Sequence, residues 1–350
     1  MTAFKGRGAL SNLSGRFDST LRQEEDDGWT PILEEDRRPM TTVRVEQAKS
    51  ILSRNDSPDI PFDVSLNPYR GCEHGCAYCY ARPSHAYLDL SPGLDFETKL
   101  VAKPNAAALL RAELCKPGYR PSPIALGSNT DLYQPIERDW RITRELLEVL
   151  ADARHPFSFV TKSALVERDL DLLASLAEQG LVHAFVSITT LDKDLARKLE
   201  PRAAAPQRRL EVIGNLSQAG IPVGVMVAPV IPALTDKDME QILGHASEAG
   251  ARSAGYVFLR LPDELKALFT QWLETHYPLK VGHVMSLIRQ SRDGKENDPR
   301  FGSRMSGSGR FAELVAQRFR IAKTRNGLDQ SMPSHRLDLF RPPTTQGSLF

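Results

Sequence analysis

From Asp63 onward the chain alternates short, almost uninterrupted apolar runs with stretches in which apolar residues recur every three or four positions. Pro156 to Val160, Leu181 to Ile188, Ile221 to Ile231 and Gly255 to Leu261 are nearly continuously apolar, as parallel strands covered on both faces are. Between them, Val166, Leu170, Leu173 and Ala177 stand at i, i+4, i+7 and i+11, which keeps one face of a helix apolar. Gly180, Gly220 and Gly250 each fall where such a helix meets the next strand, and glycine readily takes the left-handed conformation that ends a helix. The repeating unit is βα. Strands are predicted near Val64 to Leu66, Lys99 to Lys103, Ile124 to Gly127, Phe157 to Thr161, Ala184 to Ile188, Val223 to Ala228 and Tyr256 to Leu261, six or seven in all, with a helix over Asn105 to Lys116. An α/β fold is therefore expected, short of the eight strands that close a barrel. Val43 to Ser53 is expected to flank this core as a short strand or helix.

The ends of the chain read differently. Residues 1–40 are polar and rich in charge, with Glu24, Glu25, Asp26 and Asp27 opposing Arg37 and Arg38, and are expected to form a flexible or peripherally docked arm. The core domain is placed at 41–290, followed by a basic extension at 291–340 and a flexible tail at 341–350. Arg289 to Arg325 contains ten Lys or Arg against four Asp or Glu, a net of +6, with Phe301, Phe311 and Phe319 interspersed and a Gly-Ser loop at Ser303 to Gly309. Such a stretch suits contact with nucleic-acid phosphates; a solvated helix face is the alternative.

Composition sets outer bounds. The 350 residues are 41% apolar and 25% charged, with a net charge of +1, enough for a full core and against a histone-like, strongly basic binder. No apolar run approaches the ~18 residues of a membrane span. Lys5, Arg7 and Arg16 are not followed by an apolar segment, so no secretory signal is expected and the cytoplasm is the expected location.

Candidate chemistry is concentrated in Gly71-Cys72-Glu73-His74-Gly75-Cys76-Ala77-Tyr78-Cys79-Tyr80. A cubane iron–sulfur cluster has four irons, normally held by four cysteine thiolates. Three thiolates in one tight loop leave one iron open to a substrate or cofactor. A structural zinc site wants four closed ligands, usually from two separated pairs, and would need His74 or His85 to complete a Cys3His set. A disulfide framework is not expected from three clustered cysteines and a distant Cys115 in a chain without a secretion signal. Cys115 itself falls in a predicted helix and is expected to be a small buried hydrophobe.

The spacing C-x3-C-x2-C with an aromatic residue before the last cysteine resembles the signature of the radical S-adenosylmethionine (SAM) superfamily, matched here by Cys72, Cys76, Tyr78 and Cys79. Asn67 through Cys72, Cys79 through His85, and Thr130-Asp131-Leu132-Tyr133-Gln134-Pro135 resemble the uncharacterised bacterial radical SAM proteins related to spore photoproduct lyase, over about residues 40–345. The resemblance implies a partial (β/α)6 barrel open on one side, a [4Fe–4S] cluster on Cys72, Cys76 and Cys79, bound SAM, an electron donor such as flavodoxin or ferredoxin, and lyase-like DNA-repair chemistry. It also implies one departure. Spore photoproduct lyase carries a cysteine hydrogen-atom donor where this chain has Ser128, and a hydroxyl O–H bond is too strong to replace it, so the same thymine-dimer reaction is not expected. Tyr133 lies near enough in sequence to be weighed as donor, against burial as a hydrogen-bonded tyrosine.

In barrels of this kind chemistry sits at the C-terminal ends of the strands. Ser128, Asn129 and Thr130 follow the strand at Ile124, where the superfamily places the segment that binds the SAM amino group. Lys162, closing a buried strand, is expected to pair with the SAM carboxylate, while Ser163 is expected to cap the helix after it. Ser187 and Thr189 suit ribose hydroxyls, and Tyr78 is assigned a backbone-side contact to adenine. At the far end, Gln346-Gly347-Ser348-Leu349-Phe350 resembles the pentapeptide that binds the bacterial sliding clamp, with Gln346, Leu349 and Phe350 as contact residues and Gly347 departing from the favoured leucine. Two functions follow as alternatives. One is a radical SAM enzyme acting on damaged or modified nucleic acid; the other is an iron–sulfur nucleic-acid-binding or redox-sensing protein without SAM chemistry.

Overall fold

The computed structural model describes residues 4–18 and 39–343. Six parallel strands form its centre, in the spatial order of the chain: β3 (Val64–Leu66), β6 (Ile124–Leu126), β7 (Phe157–Thr161), β8 (Val182–Ser187), β9 (Val223–Val230) and β10 (Ser253–Phe258). Each pairs in parallel with the next, from Val64 opposite Ile124 to Ser253 opposite Gly224. The edge beyond β3 is covered by one antiparallel strand, β2 (Leu52–Arg54). No pairing joins β10 back to β2 among the described residues, so the sheet is a partial barrel of six βα units. Strands β6 and β3 are buried along their whole length, and Val182, Ala184 and Val186 of β8 face a core shared with helices on the outside.

One expected barrel strand lies elsewhere. The apolar run at Lys99 forms β5 (Lys99–Ala102), but it sits between β1 (Thr42–Val45) and β4 (Tyr69–Arg70) in a separate three-stranded sheet. Leu100, Val101 and Ala102 are buried there, so local composition was right and the partner was not. The segment at Val43 resolves into β1 and β2 with a connection between them.

The helices follow the repeat. Ser163 accepts a hydrogen bond from Leu165 N at 3.2 Å and caps a 3-10 turn, Ala164–Asp169, which runs into the α-helix Leu170–Glu178. Gly180, Gly220 and Gly250 all have positive φ, as predicted for helix ends. The residues of the arm that are described, 4–18, pack against the cysteine loop, with Ala9 and Leu10 buried. No helix among the described residues is long and apolar enough to cross a membrane.

Part of the basic stretch is taken up inside the fold. Helix Gly309–Arg325 packs Ala312, Val315, Phe319 and Ala322 inward; the Phe319 ring meets that of Tyr256 in a tilted contact at 4.7 Å and Phe311 meets Phe258 edge-on. Arg318 pairs with Glu240 at 2.7 Å, Arg300 with Asp298 at 2.9 Å and Arg289 with Glu296 at 2.6 Å. The expected row of three aromatics among free cations therefore reduces to one exposed ring, Phe301. Gln346, Leu349 and Phe350 of the clamp-like tail lie outside the described residues.

Candidate active site

The cysteine loop leaves β4 and turns across the C-terminal ends of the parallel strands. Two glycines shape it. Gly71 has φ +75° and a Cβ there would meet Phe96 O at 2.7 Å; Gly75 has φ +66° and a Cβ would meet Glu97 Oε2 at 2.2 Å. Both need left-handed backbone and close approach, which only glycine supplies without strain. The backbone is then tied down from several sides, by Cys72 N to Phe96 O at 3.0 Å and Ala77 N to Leu199 O at 2.8 Å.

Arg82 is the centre of this support. Fully buried, it donates from Nε to Cys76 O at 2.9 Å, from Nη1 to Pro92 O and Gly93 O, and from Nη2 to Gly75 O at 3.1 Å and Glu97 Oε1 at 3.0 Å. Glu97, equally buried, also accepts from Gly8 N at 3.0 Å and Ala9 N at 2.8 Å, and its carbonyl from Arg7 at 2.9 Å. The N-terminal segment thus closes the underside of the loop. Sequence reading quoted Arg82 only as part of a resemblance and missed Glu97, since its carboxylate lies fifteen positions beyond its guanidinium partner.

The strand-end segment after β6 serves the same loop. Thr130 Oγ1 donates to Gly71 O at 2.7 Å, and Gln134 bridges Thr130 Oγ1 to Glu73 N, at 3.0 and 2.8 Å. Asn67, just past β3, donates to Ser128 Oγ at 3.1 Å and accepts from Asn129 N at 2.8 Å. Asn129 is exposed; Ser128 receives the Tyr80 hydroxyl on its carbonyl.

A second buried pair faces the first. Glu200 takes hydrogen bonds from Tyr78 Oη, Thr189 Oγ1 and Arg209 Nη2. Burial opposes its ionisation, but Arg209 and Lys162, with the hydrogen bonds, outweigh it and hold the carboxyl down at about 2. Lys162 Nζ lies 5.9 Å from the centroid of the Tyr78 ring, and its charge reaches Cys76, Cys79 and Glu200. Tyr78 and Lys162 therefore meet beside the cysteines, as their assignment to one cofactor requires. Ser187 is buried and donates to Ala228 O at 3.1 Å, and Thr189 turns to Glu200 and Ala228 O. Both hydroxyls are engaged inside the fold.

Lys162, Arg82 and Arg209 favour the thiolates of Cys76 and Cys79, but burial outweighs them. Burial raises all three, with Asp131 and the neighbouring cysteines adding to Cys72, and Cys76 is pushed up to about 12. A desolvated set of three thiols lacks what iron would supply, a positive charge that makes each thiolate favourable. Among the described residues no three His, Cys, Asp or Glu side chains are arranged around a single ion. A cubane asks for something else, one thiolate per iron, spread over the faces of the cluster. The donor set fits that group. His74 and His85 are otherwise occupied: His74 Nδ1 faces Asp131 at 3.3 Å, and His85 Nε2 meets Lys99 O at 2.9 Å with its ring edge-on to Phe96. Tyr133, weighed as a hydrogen donor, is buried against Phe159 with Asp169 and Glu137 as the charges that raise it after burial itself.

A three-cysteine loop on the C-terminal face of a six-stranded parallel half-barrel defines a class of cluster-bearing enzyme fold, and sequence comparison agrees with it. Residues 66–246 match the Radical SAM superfamily. An uncharacterized protein of Mycobacterium tuberculosis is 41% identical over 233 residues, which span 66% of this chain and 68% of that one. The chain belongs to the radical SAM superfamily. It is also 28% identical over 179 residues to the Radical SAM Nalpha-GlyT isomerase of Pseudomonas phage M6, covering 50% of this chain and 35% of the isomerase. Among solved structures, a spore photoproduct lyase variant with bound AdoMet and dinucleoside spore photoproduct superposes with a TM-score of 0.58 at 16% identity, over 81% of this chain and 78% of that one, a likeness of fold.

Proposed function

We propose that this protein is a radical SAM enzyme that holds a [4Fe–4S] cluster on Cys72, Cys76 and Cys79, binds SAM at the fourth iron, and acts on a damaged or modified nucleotide in nucleic acid. The observation that carries the reading is the loop itself: three buried or half-buried thiols fixed by Arg82 and Thr130 at the mouth of the half-barrel, one short of the four that would close a cubane. Such a cluster, reduced by a ferredoxin- or flavodoxin-type donor, would supply the electron for reductive cleavage of the SAM S–C5′ bond, with methionine and a 5′-deoxyadenosyl group as the products. The chain's own groups bind and orient. Lys162 is suited to the SAM carboxylate, and the Tyr78 backbone, whose side chain is locked by Glu200 and Thr189, to adenine. Ser128 and Asn129, held by Asn67 at the end of β6, are suited to further polar contacts with SAM. Nucleic acid as substrate is supported by the likeness of fold to a spore photoproduct lyase complexed with dinucleoside spore photoproduct. With Ser128 where the lyase has its thiol, the proposal is a different reaction on that substrate class.

The test is anaerobic. Iron-loaded, dithionite-reduced protein mixed with SAM is expected to yield 5′-deoxyadenosine, and protein with a full complement of iron that yields none would favour a redox-sensing role. Lys162→Ala is expected to keep its iron but to bind SAM with a free energy weaker by ~1.5–3 kcal/mol, the cost of a charge-assisted hydrogen bond. Isothermal titration against wild type measures this, and unchanged affinity would remove Lys162 from the SAM site.

A further inference from the structure

The rim of the half-barrel carries a guanidinium that makes no ion pair among the described residues. Arg260 stands two residues past β10, on the same face as the cysteine loop. Its Nη1 reaches the sulfur of Met305 at 3.4 Å, and its Nε is closed off from solvent with no hydrogen-bond partner. Among the described residues it makes no ion pair. Asp59, the carboxylate whose field reaches it, is taken by Arg304 Nε and by Gly302 N, each at 2.7 Å. Burial, and then the neighbouring Arg304, hold Arg260 below the usual arginine range.

The surroundings are built to keep it there. Arg292 is fully buried and staples two segments together, donating to Phe258 O and Leu259 O at 3.1 and 2.9 Å and to Ser303 O and Arg304 O at 3.0 and 2.8 Å. This fixes the loop of Arg304 against the end of β10. Two exposed rings flank the pair. The Arg260 guanidinium lies 5.8 Å from the centroid of Tyr80, which is 53% exposed and adjoins Cys79, and Arg304 lies 4.7 Å from that of Phe301, 60% exposed. Guanidinium groups between open aromatic faces are what a single nucleic-acid strand recognises, phosphate on the arginine and base on the ring.

Resting on the nucleic-acid reading above, we propose that Arg260 seats a backbone phosphate of the substrate strand and so places the adjoining nucleotide over Tyr80, beside the cluster. An unpaired, largely desolvated guanidinium is costly in the empty site and gains most from an anion that arrives with the substrate. Arg304, already held by Asp59, steers the strand and shapes the rim.

The experiment uses full-length, iron-loaded protein and a fluorescein-labelled single-stranded DNA oligonucleotide of mixed sequence, titrated at several salt concentrations. Arg260→Gln keeps a polar, though shorter, side chain without the charge; Arg260→Lys keeps the charge without the fork. Arg260→Gln is expected to bind about tenfold more weakly, with the slope of log affinity against log salt reduced by about 0.7, the share of one phosphate contact on a single strand. Arg260→Lys should keep the wild-type slope, and SAM affinity should be that of wild type in both. A wild-type slope and affinity in Arg260→Gln would overturn the assignment while leaving the nucleic-acid reading intact. A loss of SAM affinity with DNA binding retained would overturn it too, by giving Arg260 to the SAM site. If wild-type protein binds no oligonucleotide even at low salt, the nucleic-acid reading itself fails, and this inference with it.

Discussion

Anaerobic reconstitution of the wild-type protein should incorporate about four irons per chain, and Cys72→Ala, Cys76→Ala or Cys79→Ala should each abolish it, while Cys115→Ala keeps the full complement. The loss is expected to be all or none because the site begins with three thiolates for four irons. Removing one leaves two irons without protein ligands, in a loop whose backbone donors are already committed to Phe96 O, Cys72 O and Leu199 O. Cys115 lies elsewhere, at the end of helix Ala106–Leu114, with its thiol directed at Pro343 O at 3.4 Å. Iron and sulfide assays with the visible absorbance of the reconstituted protein decide the matter. Stoichiometric zinc and no iron after anaerobic purification would sink the cluster reading, and iron retained in any of the three loop variants would redraw its ligand set.

Arg82→Met should be the most damaging substitution outside the cysteines. The side chain has similar length but no donors, so it leaves the Glu97 carboxylate buried beside two backbone amides and strips partners from Gly75 O, Cys76 O, Pro92 O and Gly93 O. Breaking a buried ion pair by removing one partner typically costs ~3–5 kcal/mol. Denaturant unfolding of the iron-free protein measures that cost directly. Reconstitution then tests whether the loop is still shaped to take iron, and Arg82→Lys, which keeps charge but loses the five-fold donor geometry, should fall between the two. Adding Glu97→Gln to Arg82→Met should recover part of the stability, because the unpaired charge is the largest part of the penalty. A destabilisation of Arg82→Met below ~1 kcal/mol, the range of an exposed pair, would show that the loop does not depend on this clamp.

The parts of the fold legible in the sequence are those carried by neighbouring residues. Apolar runs preceded by Gly180 and Gly220 mark β8 and β9 because a strand buried on both faces is apolar almost throughout, whatever its partners; β7 and β10, only partly buried, are marked by their apolar, β-branched and aromatic composition alone. The helix cap at Ser163 and the helix ends at Gly180, Gly220 and Gly250 were equally readable, since a cap is made within one turn. Lys99–Ala102 shows the limit. Its composition says strand, but pairing with Thr42–Val45 rather than with the barrel is settled by contacts more than fifty residues apart.

The site divides along the same line. The chain's own order determined the cysteine loop, because three ligands for one cluster fit within eight consecutive residues and their spacing is itself the signal. Charge counting is only a partial guide: four of the ten cations in the +6 stretch, Arg289, Arg300, Arg304 and Arg318, pair with Glu296, Asp298, Asp59 and Glu240, and composition records how many charges there are but not where each finds its partner. Only the tertiary structure decided that Arg82 and Glu97 clamp the loop, that Gln134 and Thr130 hold it from β6, and that Glu200 and Arg209 lock Tyr78 beside Lys162. It also left Arg260 without an ion pair at the rim among the described residues, beside an Arg304 that Asp59 holds. A buried charge is tolerated only where its counter-charge is brought to it, and that meeting is made by the packing of strands and helices far apart in the chain.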